Sequence, residues 1–139
     1  MDRDEVLQGV LCAVKQRVAL RADTSFIVPP QAAGVAQLFI RPHNSDAPVI
    51  WVTDTTASLY LEFLGAHWEA DSSEDVSFAE RVNWAVEIIT NAADFGLIRV
   101  RRRGSLWGRQ THLLTSARDE DAWRDDSRCK IVRTWPSWS

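Results

Sequence analysis

The 139-residue chain contains few cysteines, and this scarcity excludes two classes of protein. Its two cysteines, Cys12 and Cys129, lie far apart and belong to no Cys-x-x-Cys or Cys/His cluster. A disulfide framework and a structural zinc site both require several closely spaced ligands, so neither is indicated. We expect two reduced thiols, no bound metal and no cofactor.

The chain also lacks a long hydrophobic run. No apolar stretch reaches the roughly 20 residues of a membrane-spanning helix. The acidic N-terminus, MDRDEVLQ, has neither the basic nor the apolar segment of a signal peptide. With 45% hydrophobic and 25% charged residues, the composition is typical of a folded protein. We therefore expect a single domain over residues 1–139, located in the cytoplasm and without a membrane partner.

Motifs for catalysis are missing as well. The sequence has no Gly-x-Ser-x-Gly elbow, no cysteine beside a histidine and no phosphate-binding glycine-rich loop. His43 and Asp46 share a loop, but no nucleophile is identified for them to activate. His67 and Glu69 could face the same way, and His112 would complete a metal site only if its strand were adjacent. We predict no catalytic residues.

The best-specified part of the chain runs from residue 77 to 109. Ser77 followed by Glu80 is a capping-box pattern, which predicts a helix beginning near Phe78. Apolar residues then recur at helical spacing, and Gly96 is suited to ending the helix. Alternation in the LIRVRRR segment, residues 97–103, predicts a strand with three arginines on one face, namely Arg99, Arg101 and Arg103.

Similar patterns elsewhere complete the predicted fold. They predict a first helix ending near Arg21 and strands at residues 25–28, 35–41, 49–53, 57–68, 109–115 and 130–135. The order is α-β-β-β-β-α-β-β-β. Short connections favour antiparallel pairing, and two amphipathic helices can cover one sheet face. We predict an α+β two-layer sandwich with a mostly antiparallel sheet and two main helices.

Two acidic segments carry the clearest functional signal. EADSSED contains four carboxylates and no base, and SARDEDAWRDDSR places five carboxylates around one tryptophan. Although charge runs are commonly solvated faces, this pattern is also typical of an aromatic anchor among charges that steer a basic partner. The predicted partner-binding residues are Asp71, Glu74, Asp75, Asp119, Glu120, Asp121, Trp123, Asp125 and Asp126.

These features favour a non-enzymatic protein-binding domain whose acidic, tryptophan-containing loops mask a basic partner. The chain has a net charge of −3, seven tryptophans and no catalytic motif. In general character it is similar to small acidic bacterial immunity proteins, which neutralise toxic nucleases or other toxin domains. The similarity is one of composition, and it implies an antitoxin-type protein with a basic toxin domain as its partner.

Two alternatives remain open. The first is a small-molecule-binding or enzymatic domain with a pocket between helix and sheet. Its candidate lining residues are Trp51, Tyr60, Trp68 and Trp84, with His43, His67 and His112 as polar groups. The second is nucleic-acid binding through the Arg99–Arg109 strand beside Trp107, against which the net acidic charge argues. If the arginines are instead structural, they pair with carboxylates on neighbouring strands, such as Glu62.

Overall fold

A computed structural model of the chain describes residues 3–18, 20–27, 37–54, 58–63, 66–71, 77–104 and 110–138. The elements, in chain order, are α1 (Arg3–Val18), β1 (Ala22–Ile27), β2 (Gln37–Pro42), β3 (Ile50–Asp54), β4 (Ser58–Phe63), β5 (Ala66–Asp71), α2 (Phe78–Phe95), β6 (Leu97–Arg103), β7 (Gln110–Ser116), a 3₁₀ helix (Ala117–Asp119), α3 (Glu120–Asp125) and β8 (Cys129–Trp135). The predicted α+β class is confirmed, and the order of the main elements follows the prediction.

The strands form two antiparallel sheets. Strands β1 to β5 make a five-stranded sheet in sequence order, and the other three make a sheet of order β7-β6-β8. The strand predicted at residues 57–68 is in fact two strands, β4 and β5. Phe63 pairs directly with Ala66, so the chain reverses direction between them. Period-two alternation cannot reveal such a reversal, because both arms of a short hairpin alternate in the same way.

The hydrophobic core lies between the helices and one face of the five-stranded sheet. The alternate residues Leu38 and Ile40 of β2 and Ile50 and Val52 of β3 are fully buried, as is Leu61 of β4. Helices α1 and α2 pack against each other, and α1 packs on β1, β2 and β3. Each fully buried side chain of this size stabilises the fold by about 1.5–3 kcal/mol.

The opposite face of this sheet carries aromatic residues that are only partly covered. Phe39 and Trp51 lie on neighbouring strands, and their ring centroids are 4.5 Å apart. Both side chains and that of Tyr60 are half-exposed. Among the described helices, none has an apolar run long enough to cross a membrane.

Helix α2 begins and ends as predicted. The Ser77 hydroxyl accepts a hydrogen bond of 3.1 Å from the backbone N–H of Glu80. Gly96 has φ of +82°, and its N–H donates to the carbonyl of Ala92. A side chain at Gly96 would meet the backbone of Trp135 and Pro136, because the segment after β8 crosses the end of α2 at this point.

The segment after β8 is part of the core. The Trp138 side chain is 3% exposed, and its backbone N–H donates to the carbonyl of Ala93 at 2.9 Å. The side-chain amide of Asn44 donates to the carbonyl of Ser137 at 3.1 Å. These contacts connect the end of α2 to the loop that follows β2.

Candidate functional site

The second acidic segment is helical, whereas the sequence analysis predicted a loop. The Ser116 hydroxyl accepts from the N–H of Arg118 and caps the 3₁₀ helix, which continues directly into α3. Helix α3 packs against β8. Trp123 lies on α3 and is half-buried, so its indole is neither fully exposed nor part of the central core cluster.

Arginines of the same segment engage three of its five carboxylates. Arg124 contacts Glu120 at 2.8 Å, and two further ion pairs join neighbouring groups at longer distances, Arg118–Asp119 at 3.5 Å and Arg128–Asp126 at 3.6 Å. Exposed pairs of this kind contribute about 0–1 kcal/mol to stability, and the arginine in each pair offsets part of the negative charge of its carboxylate.

Asp121 and Asp125 carry the remaining negative charge of α3. Both are exposed, and no ion pair joins either of them to another described residue. Their i, i+4 spacing places them on one face of the helix. Trp123 lies midway between them in sequence and therefore points to the opposite side. The structure thus separates the indole from the two free carboxylates.

The other acidic segment is only partly described. Asp71 is the last residue of β5 in the five-stranded sheet. Glu74 and Asp75 lie outside the described residues. The prediction that these three residues extend the acidic surface of α3 stays a prediction.

The three-stranded sheet has a basic face, which we define by Arg99, Arg101 and Arg103 of β6 with Lys130 and Arg133 of β8. The predicted alternation along β6 is confirmed by its burial pattern, in which Ile98 and Val100 are fully buried. Arg101 pairs directly with Lys130 on one side and with His112 on the other, and Arg99 pairs with Arg133. Directly paired residues share a sheet face, so cations oppose cations.

The proposal that these arginines pair with carboxylates on neighbouring strands is wrong. The neighbours of β6 are β7, QTHLLTS, and β8, CKIVRTW, and neither contains an aspartate or glutamate. Glu62 belongs to the other sheet, where it pairs with Trp51 and His67. Within the described part of the chain, no ion pair involves a residue of the basic face.

The two ends of the basic face have different surroundings. Near the core, the guanidinium groups of Arg99 and Arg133 lie 5.8 and 4.7 Å from the centre of the Trp135 ring, which they cover. At the far end, the face opens into a groove of about 330 Å³. The described residues that line it are Arg101, Arg103, Ser127, Arg128, Cys129 and Lys130.

The turn between α3 and β8 shapes this groove. The Asp126 carboxylate accepts a 2.9 Å hydrogen bond from the backbone N–H of Arg128. This bond is the main reason that the pKa of Asp126 lies below its ordinary value. Desolvation and the neighbouring Asp126 raise the pKa of the Cys129 thiol. The N–H of Arg103 donates to the Arg128 carbonyl at 2.9 Å and joins the turn to β6.

The described side chains of the predicted small-molecule pocket do not form one cluster. Trp51 and Tyr60 lie on the outer face of the five-stranded sheet, whereas Trp84 lies on α2 and packs against the core. The side chains of Trp68 and His67 are outside the described residues. A cavity of about 140 Å³ between α2 and β7 is lined by Phe63, Ile88, Asn91, Leu97, Leu114, Thr115, Ser116, Arg118 and Asp119. It is smaller than the roughly 300–1,000 Å³ of usual ligand pockets.

The histidines are likewise dispersed. His43 follows β2, and its Nε2 lies 3.1 Å from the Asp23 carboxylate. His112 is exposed on β7, and β7 is not a neighbour of β5, which carries His67 and Glu69. No cluster of three metal-binding side chains occurs among residues whose positions are described.

Comparisons of the chain with known proteins found no relative. No protein-family model, curated protein or solved structure matches the chain.

Proposed function

We propose that the protein is a non-enzymatic cytoplasmic binding domain that contacts a negatively charged partner through its basic face. The observation that carries this proposal is the absence of any carboxylate on β7 and β8, the two strands that flank the arginines of β6. Cations that oppose cations do not stabilise a sheet. Arg99 and Arg133 cover the Trp135 ring, but the concentration of Arg101, Arg103 and Lys130 at the outer end of the face is better explained by recognition than by folding.

The net acidic charge does not argue against this function, because the charges are segregated. The chain has 19 acidic and 16 basic residues, yet five of those bases lie together on the basic face. Fields from clustered exposed charges act over roughly 10 Å at moderate salt, so a partner responds to the local cluster more than to the total.

Heparin, used as a general polyanion, provides the first test. We expect the wild type to be retained on immobilised heparin at low salt, despite its net charge, and to elute as salt screens the interaction. Replacing Arg101 and Arg103 by glutamine together should shift elution to clearly lower salt. The matched control replaces Arg17 and Arg41, which are exposed elsewhere, and removes the same total charge. Equal shifts for both double variants would show that the basic face is not the binding site.

The acidic surface of α3 supports a second candidate function. Asp121 and Asp125 are exposed, share a helix face and have no described ion-pair partner, as expected of charges that steer a basic protein such as a toxin domain. Replacing both by asparagine should slow association with a basic partner captured from the source organism. Asp119→Asn should have little effect, because Arg118 already pairs with that carboxylate. Association rates insensitive to the double replacement and to salt would contradict this candidate.

A further inference from the structure

We infer that the negatively charged partner of the basic face is the phosphodiester backbone of a nucleic acid, bound without regard to base sequence. This inference rests on the proposed function and specifies its ligand. Its site is the groove at the far end of the basic face, where Arg101, Arg103, Arg128 and Lys130 converge.

The composition of the groove favours a nucleic acid over an acidic protein as its ligand. Its described lining consists of cationic and small polar side chains with one cysteine, and includes no aromatic or aliphatic anchor. Protein interfaces derive most of their affinity from such anchors, and exposed ion pairs add little. A nucleic acid needs no anchor, because each neutralised phosphate releases condensed counterions and so favours binding.

The arrangement of the cations also suits a phosphate backbone. Alternate residues on a strand are spaced by about 6.5–7 Å, so Arg101 and Arg103 form a regular row along β6. Lys130 lies opposite Arg101 on β8 and widens the row. Guanidinium groups bind phosphate oxygens through two parallel N–H donors, which makes arginine well suited to this ligand.

The groove is held in shape before any ligand arrives. The bond from Arg103 N–H to the Arg128 carbonyl fixes the distance between the end of β6 and the turn before β8. The Asp126 carboxylate accepts a hydrogen bond from the backbone N–H of Arg128. The same carboxylate lies 3.6 Å from Nε of the Arg128 side chain. Asp126 is therefore a positioning residue, and it offsets part of the charge of Arg128.

Arginine can contact guanine edges as well as phosphates, but the described lining offers no other group that usually reads bases. Neither an amide side chain nor a stacking ring is among its residues. Base-edge hydrogen bonds and aromatic stacking are the usual sources of sequence preference. We therefore expect similar affinities for oligonucleotides that differ only in base composition.

The test is fluorescence anisotropy with labelled 20-residue oligonucleotides, as oligo-dT, as a mixed single strand and as a duplex, at 20–200 mM NaCl. Contact with about four phosphates predicts a slope of log affinity against log salt of about −3 for a single strand. Arg101→Gln and Arg103→Gln should each weaken binding several-fold at low salt and make the slope shallower by about 0.7. Arg41→Gln is the matched control, because Arg41 is exposed on β2 of the other sheet.

A polyglutamate peptide of comparable charge separates failure of this inference from failure of the proposed function. If polyglutamate binds as tightly as oligo-dT, the ligand class is wrong although the basic face still binds anions. If neither probe binds, both proposals fail. Equal losses for Arg41→Gln and Arg101→Gln would also overturn the site. Binding of either nucleic-acid form more tightly than polyglutamate supports the inference, and the form that binds more strongly identifies which one supplies the backbone.

Discussion

Single residues of this protein have roles that depend on their immediate neighbours rather than on their type. Asp126 is a predicted partner contact, which stays a prediction, and in the structure its carboxylate accepts the Arg128 N–H and organises a turn. The sequence contains the signal for this role in Asp126-Ser-Arg, because an aspartate commonly bonds the N–H two residues later. This pattern alone does not predict the turn, because many aspartates in polar segments make no such bond.

Cys129 should react slowly with alkylating reagents. Desolvation and the carboxylate of Asp126 raise its pKa, so less thiolate is present at pH 8 than an ordinary thiol would have. Cys12 is exposed on α1, whereas Cys129 is half-buried. Peptide mass spectrometry after iodoacetamide treatment should therefore show modification of Cys12 first. Asp126→Asn should accelerate the reaction of Cys129, and equal initial rates for the two wild-type thiols would contradict this explanation.

Gly96 should tolerate no side chain. Its φ of +82° disfavours an L-residue, and an added Cβ would collide with the backbone at Trp135 and Pro136. We expect Gly96→Ala to lower the free energy of unfolding by at least about 2 kcal/mol in urea titrations. Gly104→Ala is the control, because Gly104 is exposed, and its effect should stay within about 0.5 kcal/mol. Similar stabilities for the two variants would contradict the close approach at Gly96.

At the level of elements, α2 and β6 were predictable because their signals are local. The capping residue, the helical spacing and the terminating glycine of α2 all lie within residues 77–96. Helix α3 was missed because it has only six residues, EDAWRD, with Ala122 and Trp123 as its apolar members. A helix this short shows no apolar repeat.

The basic face shows where local patterns stop being informative. Alternation correctly placed Arg99, Arg101 and Arg103 on one face of β6. It could not show which strands flank β6, because strand order depends on tertiary packing. The predicted pairing with Glu62 was wrong because the sequence does not show which strands are neighbours of β6. Once the sheet order is known, the absence of acidic residues from β7 and β8 is visible in the sequence.

The segment after β8 should contribute strongly to stability for its length. Trp138 is almost fully buried and belongs to the central core cluster. We expect Trp138→Ala to cost about 3–5 kcal/mol of unfolding free energy. Trp51→Ala, at a half-exposed position on the outer face of the larger sheet, should cost less than half as much. Chemical denaturation of both variants provides the comparison, and equal losses would mean that Trp138 does not anchor the segment.

At the scale of the whole molecule, the two sheets differ in how much of their surface the core covers. The five-stranded sheet buries one face under the helices. The three-stranded sheet joins the core near Leu97, Leu114 and Trp135, and farther out it carries exposed cations. Burial along β6 therefore extends to Val100, and the strand becomes exposed at Arg102 and Arg103.

The central claim is that the outer cations of the basic face, Arg101, Arg103 and Lys130, serve recognition and not folding, and thermal unfolding of Arg101→Gln tests it most directly. Arg101 opposes Lys130 and has no described acidic partner, so removing its charge relieves repulsion. Arg21→Gln is the control, because it breaks the 2.8 Å pair with Asp94 and should lower the Tm. We predict that Arg101→Gln leaves the Tm unchanged or raises it by up to about 3 °C. A Tm that falls as it does for Arg21→Gln would contradict the claim.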